Sequence, residues 1–400
     1  MKGLILSAQG HNTEALAVVK KVLFKNLSNF TCWHVYGIIN RKEKDYDQAR
    51  RCYINAIKYN NGSNDVILRD LSYLQAHLRE YEGFKESRRQ LLLKNPGDFE
   101  HWVSYACGCY MAGDFENCIQ SCESILRFDT GMKKPMRPAQ KMEVILLRVK
   151  ALERSLKFKE AIAMMVDNKQ IIVDKVQYFD ILARLRLLNG QAKKSVDNLE
   201  SLLEINSVNF STYYKILEAK GIKLFNEHGN KNVLTTEEKA TVKQTLEYYA
   251  KGFPRVTAHD RIAMKFLDGE DFAALLRRYV RGLLVKGAPA IMQDLREFYE
   301  DAAKVATIES LLLGWLANMD KQMTLEENDL EEQDPTVHLW LLYFISNHYL
   351  WKRDSKQALH YINKAIAHTP TLLDLYTLKG KIYQKSGDPK MAAKLFEEAR

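Results

Sequence analysis

The stretch Thr31-Cys32-Trp33-His34-Val35-Tyr36-Gly37, followed by Tyr46-Asp47-Gln48-Ala49 and Cys52-Tyr53-Ile54-Asn55-Ala56, decides how this chain folds. Gly37, Ala49 and Ala56 each stand 34 residues after Gly3, Ala15 and Val22. A large residue opens one helix, a small residue follows one turn on, and a second small residue begins the next helix. A fixed period of this length marks helix pairs, each of which buries its apolar face only against its neighbour.

The period runs on along the chain. Taking Trp33 as the large residue of a first helix, the equivalent positions are Ile67, Trp102, Ile145, Phe179, Leu342 and Tyr376. The small residue beginning each second helix reads as Ala15, Ala49, Gly83, Cys118, Ala161, Ser195, Ala358 and Ala392. Close helix crossing demands the small residue, because a larger side chain there pushes the two helices apart. Large partners such as Tyr53, Ile362 and Phe396 follow four residues later on the same face. The steps of 35 residues to Cys118 and 43 to Ala161 imply longer loops. This pattern resembles the tetratricopeptide repeat and predicts an all-α solenoid of antiparallel helix pairs.

Organisation follows from the anchors. Residues 1–129 read as four helix pairs, the first truncated, and 130–139 as a linker carrying Gly131, Pro135 and Pro138. Helix pairs resume over 140–225, with Asn189-Gly190 as one inter-helix turn, and divergent helical repeats occupy 226–317. Thr235-Thr236-Glu237-Glu238 reads as a capped helix start. An acidic flexible linker is predicted over 318–335, then two clean repeats over 336–400. Both ends are abrupt for a solenoid, which normally closes on polar capping elements. The expectation is a partial chain.

Composition sets the outer bounds. The 400 residues include only 8 prolines and 19 glycines, which suits a nearly all-helical chain. No apolar run approaches the ~20 residues of a membrane span, and no signal peptide opens the chain. Cys32, Cys52, Cys107, Cys109, Cys118 and Cys122 lie inside helical repeats, favouring a reducing, cytoplasmic setting. The net charge of +9 is uneven: Lys133 to Glu160 holds nine basic against three acidic residues, and Glu326 to Asp334 holds six acidic and no basic ones. The basic stretch is either a solvated helix face or a patch for phosphate, anionic lipid or acidic protein surfaces. No motif for sequence-specific nucleic-acid reading accompanies it.

No constellation points to chemistry. Cys107, Cys109, Cys118 and Cys122 lack a zinc spacing, and two residues apart on a helix diverge by about 200°. Buried thiols packed as small apolar groups account for them. His360 and His368 flank a second helix without a ligand pattern, and no phosphate-cradling loop or nucleophile elbow occurs. Trp and Tyr at repeat spacing read as core. The acidic run at 326–334 reads as a disordered loop of repelling charges. No catalytic, cofactor-binding, metal or partner-contact residue is assigned.

Several blocks go beyond a generic repeat. They are the opening stretch, Ile67-Leu68-Arg69-Asp70-Leu71-Ser72, Glu82-Gly83-Phe84-Lys85-Glu86 and Phe266-Leu267-Asp268-Gly269-Glu270-Asp271-Phe272, with Ala358-Leu359-His360-Tyr361-Ile362-Asn363-Lys364-Ala365-Ile366 and Thr369-Pro370-Thr371-Leu372 near the end. Together they resemble the auxiliary, scaffolding subunits of the NatA N-terminal acetyltransferase complex, most closely over 1–95 and 336–400. The resemblance implies a non-catalytic subunit that wraps and shapes a GNAT-family catalytic subunit and helps it dock on ribosomes, meeting nascent polypeptides indirectly. It implies acetyl-coenzyme A bound by that partner rather than by this chain. No glycine here completes the acetyl-coenzyme A loop of that fold; Gln384-Lys385-Ser386-Gly387 comes nearest but continues Asp388-Pro389. An inositol phosphate glues the subunits in the family, and Lys379, Lys381, Lys385 and Lys390 lie near where that region begins, without being assigned to it. The alternative is a generic tetratricopeptide adaptor of co-chaperone type, whose carboxylate clamp has no counterpart placed in two successive repeats.

Overall fold

The computed structural model describes residues 2–60, 64–128, 136–287, 291–327 and 329–398. Among them the chain forms helices joined by short turns, plus one isolated bridge between Phe225 and Lys231. It divides into two compact units, Met1–Asn198 and Leu199–Arg400. The first holds α1 (Lys2–Ala8), α2 (Asn12–Lys25), α3 (Phe30–Lys42), α4 (Tyr46–Tyr59), α5 (Asp65–His77), α6 (Tyr81–Lys94), α7 (Phe99–Met111), α8 (Phe115–Phe128), α9 (Pro138–Arg154), α10 (Phe158–Asp167) and α11 (Lys175–Leu188). The boundary crosses α12 (Ala192–Ile205). The second unit continues with α13 (Phe210–Ala219), α14 (Thr236–Gly252), α15 (Ala258–Phe266), α16 (Gly269–Leu284) and α17 (Ile291–Leu295), which runs into a 3-10 turn at Arg296–Glu300. It ends with α18 (Ala302–Gln322), α19 (Pro335–Trp351), α20 (Ser355–His368), α21 (Leu373–Ser386) and α22 (Pro389–Glu398).

The repeat shows itself most clearly in the turn between paired helices. Gly10, Lys44, Arg79, Gly113, Leu156, Gly190, Arg353 and Gly387 all take positive φ. Five residues after each, an amide donates to the carbonyl just past the turn: Ala15, Ala49, Phe84, Cys118, Ala161, Ser195, Ala358 and Ala392. Left-handed backbone costs a residue with a Cβ roughly 1–2 kcal/mol. Lys, Arg and Leu nevertheless occupy it in four of these turns, so tertiary packing imposes the geometry. An aspartate often follows and caps the second helix, as Asp45, Asp354 and Asp388 do by accepting from the amides of Gln48, Gln357 and Met391.

This register corrects the sequence reading at one repeat. Phe84, not Gly83, takes the small-residue position, and Leu68, not Ile67, matches Trp33, because the 35-residue step falls between Ala49 and Phe84. Phe84 is buried there, and the extra volume is absorbed in the next repeat. A Cβ on Gly108 would lie 3.1 Å from the Lys85 Cα and 3.4 Å from the Phe84 ring. Gly83 instead faces the Gln75 side chain. At the other small positions Ala15, Ala49, Cys118, Ala161 and Ala358 are fully buried, and Ser195 satisfies its hydroxyl on the Ala183 carbonyl at 2.7 Å.

Aromatic residues at the repeat positions pack against the core without being fully enclosed. Phe396 packs on Gly380 yet remains 37% exposed, since no described helix follows to cover it. Trp33, Trp102 and Tyr376 are only half-buried: each tip donates to a carbonyl six residues earlier, on Leu27, Pro96 and Pro370, at 2.7–2.9 Å. Tyr213 does the same with Ser207 at 2.8 Å. These rings fasten the loop entering each pair while their faces pack on it.

Gly37 sits where α3 and α4 approach most closely, and a Cβ there would meet the Tyr53 ring at 2.5 Å and the Ala49 carbonyl at 3.3 Å. Gly37→Val is expected to destabilise the first unit by about 1–3 kcal/mol through overpacking. Circular-dichroism melting should show the loss, with Gly97→Val, which meets no neighbour within 4 Å, as the tolerant control.

Candidate partner-binding surface

The charged side chains serve mainly to lock neighbouring pairs. Arg50 reaches Glu80, and one repeat later Lys85 reaches Asp114 at 3.3 Å, so the same second-helix position holds the next turn. Asp70 on α5 binds both His34 and Arg41 of α3, at 3.0 and 3.2 Å. The predicted basic patch is partly consumed in this way. Arg148 pairs with Glu123 at 3.3 Å and Lys157 with Glu116 at 2.9 Å, whereas Lys150, Arg154 and Lys159 stay exposed. Lys133 and Lys134, with most of the predicted 130–139 linker, lie outside the described residues.

The cysteines are packing groups at this level of detail. Cys109, Cys118 and Cys122 are buried and Cys107 half-buried, all as free thiols. Burial pushes the Cys109 thiol up to about 11, and the hydrogen bond with Cys122 raises Cys118 further. Among the described residues no three His, Cys, Asp or Glu side chains gather as a metal centre would. His360 is exposed against Tyr361, and His368 is exposed with its Nδ1 2.9 Å from the Thr369 hydroxyl. Lys381, Lys385 and Lys390 are exposed and Lys379 half-buried on the last two helices.

The block Phe266 to Phe272 forms a knot in the second unit. Asp268 accepts from Lys239 at 2.7 Å and pairs with Lys304 at 3.1 Å. Burial pushes its carboxyl up, but the two lysines outweigh this and hold it below the usual carboxylate range. Lys304 is buried: its ammonium donates to the Met264 carbonyl at 3.1 Å and lies over the Phe272 and Phe298 rings. Asp271 binds Lys243 at 2.6 Å. Turn, helix end and three helices are thus joined by one small set of charges.

The acidic run differs from the disordered linker expected over 318–335. Residues up to Gln322 belong to α18, and Leu325 is fully buried. Arg281 reaches across from α16 to Glu326 at 3.4 Å and Asp329 at 2.6 Å, and Asn318 donates to the Leu325 carbonyl. One opposite charge and one apolar anchor offset the repulsion that the sequence reading gave precedence. Beside this loop, α16 and α18 leave an open groove of about 770 Å³, floored by Ala273, Ala306, Ser310 and Gly314 and flanked by Arg277 and Glu327. Among the described residues no helix is long and apolar enough to cross a membrane.

Fold and surface together define an all-α tandem-repeat protein of tetratricopeptide type. The family model for "N-terminal acetyltransferase A, auxiliary subunit" matches residues 139–400. The chain is 31% identical to N-alpha-acetyltransferase 16, NatA auxiliary subunit, of Mus musculus over its whole length, covering 45% of that protein. It is likewise 31% identical to the N-terminal acetyltransferase A complex auxiliary subunit NAA15 of Arabidopsis thaliana, covering 44% of it. Among solved structures, a chain of Naa15/Naa10 bound to HypK-THB superposes on all of this chain with a TM-score of 0.81 at 25% identity, 57% of that chain being covered. The chain belongs to the family of auxiliary subunits of N-terminal acetyltransferase A. It spans about half the length of the curated relatives it matches.

Buried histidines contribute to the pH response of the second unit, His259 and His348 both being pushed down by burial. His348 is buried, with Nδ1 2.6 Å from the Tyr299 hydroxyl and Nε2 3.9 Å from Glu309, beyond hydrogen-bond reach. Burial pushes its pKa down to about 4, with Glu309 opposing only in part. The unfolded chain therefore takes up this proton first, and stability present above about pH 6.5 is lost as pH falls towards 4. The full effect is on the order of 3 kcal/mol. Denaturant-melt midpoints should fall between pH 7 and 5, and His348→Phe should make that fall smaller.

Proposed function

We propose that this chain is a non-catalytic scaffold that holds a GNAT-fold catalytic subunit for N-terminal acetylation of nascent chains. The observation carrying the reading is the superposition over its whole length on a chain of a structure that contains Naa15 and Naa10. Helix pairs fixed by glycine contacts and inter-repeat ion pairs supply a preorganised surface, which is what shaping a partner's active site requires. Acetyl-coenzyme A belongs in this reading to the partner, and the setting is the cytoplasm. Ribosome docking falls to the basic residues left unpaired on α9 and α10, namely Lys150, Arg154 and Lys159.

Co-expression with the GNAT catalytic subunit of the same organism is expected to give a co-eluting complex. That complex should acetylate Ser- or Ala-initiated peptides, while the scaffold alone transfers no acetyl group. Failure to co-elute, or activity in the lone chain, contradicts the assignment. Reversing Lys150, Arg154 and Lys159 to Glu should lower ribosome cosedimentation and its salt dependence together. Unchanged cosedimentation removes the docking role and leaves the scaffold role standing.

A further inference from the structure

Arg88 occupies a position that elsewhere in the repeat belongs to the core. It stands nine residues after the left-handed turn residue Arg79; the same position holds Val19, Tyr53, Cys122, Met165 and Ile362, all buried. Arg88 itself is only 6% exposed. Its guanidinium carbon lies 5.0 Å from the centre of the Tyr73 ring and 5.4 Å from that of Phe84. Its Nε is buried without a hydrogen-bond partner, and no carboxylate among the described residues lies within ion-pair distance. The terminal nitrogens are not among the buried unpartnered atoms, so the outer edge of the fork meets solvent, and the aromatic contacts satisfy its faces rather than its donors.

The location gives the missing group a way in. Tyr73 on α5 and Cys107 on α7 each stand six residues before their turn, at equivalent points of neighbouring first helices. Arg88 comes from the second helix α6 and lies over Tyr73, which is 54% exposed, and over Phe84, whose ring borders Gly108 of α7. The head of the side chain therefore meets the face formed by the first helices. Two rings lie against the guanidinium, and its terminal nitrogens are the donors a ligand can reach. A planar carboxylate on a narrow stem fits that approach and matches two parallel donors.

We propose that Arg88, lying over Tyr73 and Phe84, is a receptor for an acidic side chain or C-terminal carboxylate of a partner polypeptide docked on the first-helix face of α5 and α7. The site is independent of acetyltransferase assembly, because it rests on the unpaired guanidinium alone.

The test uses the whole chain with fluorescein-labelled octaglutamate, read by anisotropy at about 0.15 M salt. Arg88→Met, which restores an apolar residue to the slot, and Arg88→Lys, which keeps the charge but loses the fork, should each weaken binding at least about fivefold. Lys58→Met, an exposed site with the same charge change as Arg88→Met, should alter it less than about twofold. Arg88→Met should melt at or above the wild-type temperature. The proposal is overturned if octaglutamate does not bind, or if Lys58→Met costs as much as Arg88→Met. A melting loss of more than about 5 °C in Arg88→Met would assign the guanidinium to packing and overturn it as well. Displacement of the peptide by inorganic phosphate at lower concentration than by acetate would make the ligand a phosphate instead.

Discussion

Everything in this molecule depends on how closely two helices of a pair can lie. At Gly3, Gly37 and Gly380 a Cβ would stand within 2.7 Å of Val19, Tyr53 or Phe396, so these crossings exist only because a side chain is missing. Close approach lets a large residue of the second helix fill the gap, and that residue forms the core of the pair. Phe84 shows how strict the constraint is. When a large residue enters the small position, Gly108 in the following repeat supplies the space, and the stack continues with its spacing intact.

The turns and charges act on top of this packing. Once a pair is closed, its connecting residue must take left-handed backbone, even where that residue is Lys44, Arg79, Leu156 or Arg353. Where the next residue is acidic it offers a carboxylate to the preceding repeat, as Glu80 does for Arg50 and Asp114 for Lys85. Exposed pairs of this kind contribute little energy each. Their value lies in orientation: they bind one rigid pair to the next at a repeated angle, and the surface between pairs becomes predetermined.

What was legible in the sequence is what repeats. Small residues at fixed spacing located the helix pairs of the first unit and the last two pairs of the second. The misplacement of Gly83 arose because a glycine one residue away from the true position imitates the pattern, and the left-handed turn at Arg79 with the Phe84 amide on the Glu80 carbonyl distinguishes them. The acidic loop was misread for a different reason. Its order comes from Arg281, 48 residues from Asp329 in the chain, and a local reading of charge has no access to that partner. The Lys304–Asp268 knot is hidden in the same way, since a lysine at that position reads as a solvated charge until Met264, Phe272 and Phe298 are seen around it.

Lys304 and Arg88 make an instructive contrast. Both are cations buried against two aromatic rings, and both occupy a site where burial disfavours charge. Lys304 has its answer inside the chain, in the Asp268 carboxylate and the Met264 carbonyl, so it works as a fastener. Arg88 has the rings without the acceptor. The same Nε is left without a partner in Arg50, Arg148 and Arg186, but those three reach Glu80, Glu123 and the Lys194 carbonyl through a terminal nitrogen, whereas Arg88 reaches no carboxylate among the described residues. A scaffold acts through its surface alone, so such a residue carries more information about binding than any of the well-paired charges around it.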